Sequence, residues 1–371
     1  MGTHGLLDGL RADTAQMVEA VVSLASIESP SADTGATAAC AAAVTDLGRS
    51  LLGHEPDSIV VDGRTHLSWR FGPRARVLLL GHIDTVWPIG TLDRWPVSVV
   101  GDTITGPGVF DMKAGVVQGL FALNHLDSCD GVEVLLTSDE EIGSGSSRDL
   151  IEDAARRVEA VLVLEPSAAG ALKTSRKGTL SYRVQIAGRA AHAGLEPERG
   201  ANALIEAAHV VLALEAMARP ELGTTITPTM ATSGSAANTV PAMATLTIDA
   251  RVLTLDEQAR IDSELSLIET TVPGTTITVE RIHGRPPLPE AASARLYRLA
   301  DRLAADLGLG PLTQVAVGGG SDGNFTAALG IDTLDGLGPV GDHAHGEGEY
   351  ALIPAMAERA ALVARLIEEL R

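Results

Sequence analysis

The chain predicts an α/β fold, with a mostly parallel sheet flanked by helices, interrupted by a smaller α+β unit. Three observations carry this. Short apolar runs alternate with helical patterns in the first half, strands with one polar face fill the middle, and acidic, glycine-rich α/β character returns afterwards. Alternating strands and helices build a sheet covered on both faces. The length, 371 residues, exceeds the roughly 250–300 at which a single core stops growing.

Taken in order, residues 32–52 suit a helix with Asp33 or Thr34 near its cap. RVLLL (76–80), ended by Gly81, reads as a strand buried on both faces. Residues 115–126 read as a helix, and VEVLLTS (132–138) and AVLVLEP (160–166) as further strands. LSYRVQIAG (180–188) then alternates apolar and polar residues, the mark of a sheet with one wet face. Helix 201–217, strands 224–234 and 244–253, helix 256–272 and strand 275–284 complete a β-α-β-β-α-β order, which is ferredoxin-like. The expected domains are therefore 1–177 with 285–371, and an insert over 178–284. Helices over 293–308 and 354–370 close the chain.

Composition narrows the function classes. Apolar residues make up 45% of the chain and aromatics 3%, so aliphatic side chains must fill an ordinary globular core. A net charge of −20 argues against a nucleic-acid partner, which needs a basic footprint. No apolar stretch reaches the length of a membrane span. The N-terminal residues lack a basic region followed by an apolar run, so a cytoplasmic location is expected. Cys40 and Cys129 fit no metal spacing and read as reduced thiols.

Five segments place histidines or carboxylates at strand ends or in glycine-rich loops. LLLGHIDTV (78–86) sets His82 and Asp84 two apart, where the acid can orient a metal-binding imidazole. GPGVFDMKAG (106–115) puts Asp111 at a helix start, where an N-cap is the plainer alternative. LLTSDEEIGS (135–144) clusters Asp139, Glu140 and Glu141 after a strand. Adjacent carboxylates repel, so they belong on a solvated loop or beside a cation. One of them can then ligate while its neighbour acts as base, and the residues do not say which. LVLEPS (162–167) ends in Glu165, a candidate ligand or an ordinary strand-capping charge. GDHAHGEGEYA (341–351) offers His343 and His345. Carboxylates with imidazoles suit zinc, whereas calcium prefers oxygen alone.

Together the motifs GHIDTV, GPGVFDMKAG, SDEEIGS, LEP, AHAG and AHxxxEY, in that order, resemble the M20 metallopeptidases, in particular their glutamate carboxypeptidase (carboxypeptidase G2-like) branch. The resemblance spans nearly the whole chain. It implies a di-zinc hydrolase of amide bonds in small peptides or N-acyl amino acids, with Co²⁺ or Mn²⁺ as possible substitute metals. Asp111 would bridge both ions, His82 and Glu165 would complete one site, and Glu141 and His345 the other. Asp84 would orient His82, and Glu140 would be the general base on the bridging water. The spacing to Glu349 and Tyr350 favours His345 over His343. The insert would be a lid that also forms a homodimer, with His192 polarising the substrate carbonyl. Asn238 and Arg251 would hold a terminal carboxylate, though Arg251 equally suits a surface ion pair. Arg285 and the GGGSDG loop at Gly320 are further pocket candidates. Aminoacylase, dipeptidase and biosynthetic N-deacylase are the alternatives within the family, and a catalytically silent binding relative the alternative outside catalysis.

Overall fold

The computed structural model describes residues 3–371, with side chains from Gly5 onward; the first two residues of the N-terminal stretch read above lie outside the described residues. The chain divides into two compact units, one of residues 1–175, 288–317 and 321–371, the other of 176–287 with 318–320.

Six strands make the sheet of the first unit, in the spatial order Asp57–Val61, Arg64–Arg70, Val132–Thr137, Val77–His82, Ala160–Val163 and Asp332–Leu334. The last four run parallel, and a hairpin of the first two adds an antiparallel edge. Every residue of Val77–His82 and Val132–Thr137 is buried. Because side chains alternate across a strand, Leu79 joins one core cluster while Leu78 and Leu80 join the cluster on the opposite face. Helices Ala114–Asn124 and Ile353–Leu370 pack on the first face, Arg148–Ala155 on the second. Asp33 caps helix Thr34–Leu52, accepting from the amides of Gly35 and Ala36 at 3.0 Å.

A small four-stranded sheet has no counterpart in the sequence reading. It pairs Tyr350–Leu352 with Thr103–Thr105, flanked by Ser98–Val100 and Gly341–Asp342. These strands are two or three residues long, too short for periodicity to register. They tie the stretch before Asp111 to the stretch after His345.

The second unit is a four-stranded antiparallel sheet, ordered Thr225–Ser233, Met243–Val252, Gly178–Ala187, Thr276–Arg285, with helices Ala203–Met217 and Leu255–Ser266. The second helix stops well short of the expected residue 272. Buried Glu206 captures the amides of Thr271 and Val272 and the Thr275 hydroxyl, which ends any helical ladder there. Among the described residues both cysteines are free, Cys40 buried and Cys129 half-buried. No helix among them is long and apolar enough to cross a membrane.

Glu257 makes this unit's stability depend on pH. Arg260, then Thr224 and Arg219, hold its carboxyl down to about 2 from an ordinary 4.5. Stability from a depressed carboxyl is present above the unfolded value and is lost as pH falls through the folded one. The stability gap between the wild type and Glu257→Gln is therefore expected to narrow by on the order of 2 kcal/mol from pH 6 to pH 3. Urea unfolding at the two pH values measures it, and an unchanged gap would contradict the assignment.

Candidate metal centre

The fold delivers the candidate ligands by strand ends and turns. His82 is the last residue of its strand, and Glu140 and Glu141 form a single helical turn just beyond Val132–Thr137. Glu165 follows Ala160–Val163 by two residues. These parallel strands end on the same side, where ligands of open α/β sheets gather. Asp111 lies in an irregular turn, Val109–Lys113, and is not a helix cap; the Asp111–Met112 peptide is cis. His345 and His343 both have positive φ, 61° and 64°.

All of these carboxylates and imidazoles but one converge. His82 Nε2 lies 3.2 Å from Asp111 Oδ1 and 3.6 Å from Glu165 Oε1. His345 Nε2 lies 3.3 Å from Asp111 Oδ2 and 3.1 Å from Glu141 Oε2. Asp111 thus presents one oxygen to each of two pairs. Within 4.8 Å of one another stand His82, Asp111 and Glu141, and also His82, Glu140 and Glu165. His343 is the exception: its ring lies 6.4 Å from that of Tyr350.

Electrostatics show what the cage requires. Burial raises the Asp111 carboxyl, but hydrogen bonds from His345 and His82 outweigh this and hold it well below the usual range. Hydrogen bonds to Asp111 and Glu141 push His345 up to about 11. Burial lifts Glu141 to about 7. His82 is driven upward by Asp111, Asp84 and Glu165 despite its burial. Positive charge is therefore favoured among these acids, and a bound cation would supply it.

A zinc pair fits. The donor set is imidazole and carboxylate, and Glu141 Oε1 is buried with no hydrogen-bond partner. Two ligands each roughly 2.0–2.1 Å from a tetrahedral ion stand roughly 3.3–3.4 Å apart, and the observed separations run from 3.1 to 3.6 Å.

Buried acids brace this cage from behind, chiefly by accepting hydrogen bonds. Asp84 faces His82 less through its carboxylate (3.4 Å) than through its carbonyl, 3.0 Å from Nδ1. Its carboxylate instead accepts the amides of Glu140 and Glu141, both at 3.2 Å, and the Ser31 hydroxyl at 2.6 Å. Asp139 accepts from Ser146 and Ser147, and Asp322 from Thr137 and Ser144. His66 completes this layer: its Nδ1 accepts the Ser138 amide, so Nε2 carries the proton toward Ser146 Oγ at 3.1 Å. Sequence reasoning missed His66, took Asp322 only as part of the GGGSDG loop, and used Glu349 only to favour His345 over His343.

In the second unit the remaining candidates form two groups. His192 is exposed, and its Nδ1 accepts the amides of Gly194 and Leu195, both at 3.2 Å, which leaves the proton on Nε2. Asn238 belongs beside it, its carbonyl accepting Ala193 N. Arg251 and Arg285 flank Thr179 across the central strand, and Gly320 lies over Thr179 and Arg285. Arg251 is forked by Asp249 at 2.8 Å on both contacts, and its Nη1 reaches the Gly318 carbonyl at 3.4 Å. Buried Arg176 donates to the carbonyls of Gly319 and Gly320. His283 stands nearby and is kept neutral by burial and then by Arg285, so the positive charge here belongs to the arginines.

Comparison with known proteins agrees with this architecture. The model of peptidase family M20/M25/M40 matches residues 78–369. Carboxypeptidase G2 of Pseudomonas sp. (strain RS-16) is 33% identical over 315 residues, 79% of this chain and 74% of that protein. Succinyl-diaminopimelate desuccinylase of Dechloromonas aromatica (strain RCB) is 26% identical over 351 residues, 86% and 90% of the two chains. The crystal structure of aminopeptidase PepT from Bacillus cereus ATCC 10987 superposes with a TM-score of 0.77 at 22% identity, covering 96% of this chain and 98% of that one. With its fold, its two clusters of candidate ligands and these matches, the chain belongs to peptidase family M20/M25/M40, as a zinc-dependent metallopeptidase or amidohydrolase.

Proposed function

We propose that the chain is a di-zinc exopeptidase of the glutamate carboxypeptidase kind, cleaving an amide bond in small peptides or N-acyl amino acids that end in a carboxylate. The division of Asp111's two oxygens between the His82–Glu165 and Glu141–His345 pairs carries this reading. Those five residues would hold the metal pair, which supplies Lewis acidity to polarise the scissile carbonyl and acidify water. His345 engages Glu141 and leaves the neighbouring Glu140, 6% exposed, as the proton carrier. Glu140 takes a proton from the attacking water and returns it to the leaving nitrogen. His192, with its donor on Nε2, is suited to a carbonyl oxygen on which negative charge develops.

The two guanidiniums of Arg251 and Arg285, either side of Thr179, support an anionic end on the substrate, in a chain of net charge −20. A homodimer through the second unit is part of the same reading. Helix Ala203–Met217 leaves Leu204, Ile205 and Leu212 at least half exposed, and edge strand Thr225–Ser233 exposes Met230.

Three outcomes are expected. Purified protein carries two zincs per chain and releases free amino acid from a panel of N-acyl and dipeptide substrates, chelation abolishes release, and Glu140→Ala keeps both zincs while turnover falls at least about 100-fold. Wild-type turnover in zinc-loaded Glu140→Ala would remove Glu140 from the role. Arg251→Ala raises KM about tenfold or more, and unchanged kinetics would reject a carboxylate site there. Sedimentation finds a dimer that Leu204→Glu with Leu212→Glu dissociates; a wild-type monomer would exclude that interface.

A further inference from the structure

Glu349 looks like one more loop acid in GEGEY, yet it is fully buried and its carboxylate accepts four hydrogen bonds. Oε1 accepts the amides of Phe110 and Asp111, each at 2.9 Å. Oε2 accepts the Gly108 amide at 3.0 Å and the Trp87 indole N–H at 2.9 Å. Its backbone carbonyl also accepts Gly106 N, at 3.2 Å.

Three of these donors share one property. Gly108, Phe110 and Asp111 lie where the chain turns irregularly, with Gly108 at φ 72° and Asp111 at φ −114°, ψ 96°. Amides in such a turn have no helix or sheet ladder to satisfy them, and an unpaired buried amide is costly. Glu349 is their common acceptor. It is joined to His345 by a tight turn, in which Glu349 N donates to Gly346 O and Gly346 N to His343 O. One buried side chain thereby ties the turn that aims Asp111 to the loop that carries His345.

We infer that Glu349 is a positioning residue, which locks the Asp111 turn to the His345 loop and so sets the metal affinity of the Asp111–Glu141–His345 side. The inference rests on the di-zinc reading above. The other side depends on it less, because His82 and Glu165 are carried on the ends of buried strands. Glu349→Gln keeps the shape of the side chain but points an NH₂ at one pair of its donors, so two of the four lose their acceptor.

Zinc titration of the metal-free protein against a chelating indicator, paired with hydrogen–deuterium exchange, tests this. In Glu349→Gln the first zinc, which keeps His82 and Glu165 on their strand ends, weakens by no more than about threefold, and the second binds about 10–100-fold more weakly. Amides of residues 106–113 exchange faster, while strand Val132–Thr137 keeps its protection. With zinc saturating, kcat falls and KM holds. If Glu349→Gln does not fold, Trp87→Phe removes one donor and weakens the second zinc about threefold. A folded variant that binds the second zinc within twofold of wild type overturns the inference. So does loss of protection spread equally over Val132–Thr137, which would make Glu349 a general stabiliser. Wild type that takes up no zinc would instead overturn the di-zinc reading itself.

Discussion

Everything at the centre of this molecule depends on crowding carboxylates together, Asp111 with Glu141 and Glu140 with Glu165, each pair within 4.8 Å. Asp111, Glu140, Glu141 and Glu165 are all wholly or largely buried. Carboxylates at such range repel strongly out of water, and the repulsion is relieved by positive charge among them or by a proton on one of them, as the raised Glu141 shows. The acids around them push the imidazoles of His82 and His345 toward their charged form, which acts in the same direction. A site built this way is stable only when cations, protons or metal ions, are present.

The same economy governs the layer behind. Asp84, Asp139, Asp322 and Glu349 are buried acids that accept from amides, hydroxyls and an indole. Amide acceptors fix a backbone where an arginine partner would fix only a side chain. Asp84 holds the Glu140–Glu141 turn, and Glu349 holds the Asp111 turn. The acidity of the chain is therefore only partly a solvation device; several of its charges are internal scaffolding.

Much of this was legible in the residues because it is local. The parallel strands announce themselves as apolar runs, and His82, Glu140 and Glu165 sit at their ends because the runs end there. The insert's β-α-β-β-α-β order is likewise a local alternation of periods. What escaped was non-local or disguised. The pairing of Thr103–Thr105 with Tyr350–Leu352 joins segments far apart in the chain, each too short to show a period. The non-helical stretch beyond helix Leu255–Ser266 is held at Thr271 and Val272 by Glu206, in another helix. His66 and Glu349 look like an ordinary strand histidine and an ordinary loop acid. Their meaning comes from partners, and partners are a property of the fold.

The division of the first unit into separated stretches of chain has a consequence for its biosynthesis. Residues 176–287 form the core of the second unit as one continuous segment, so that unit can collapse as soon as it emerges from the ribosome. The first unit must wait. Its sheet gains Asp332–Leu334, and its central face gains helix Ile353–Leu370, only after the insert has been made. His345 arrives later still than its four candidate partners. The centre therefore cannot be completed until the last tenth of the chain has been synthesised.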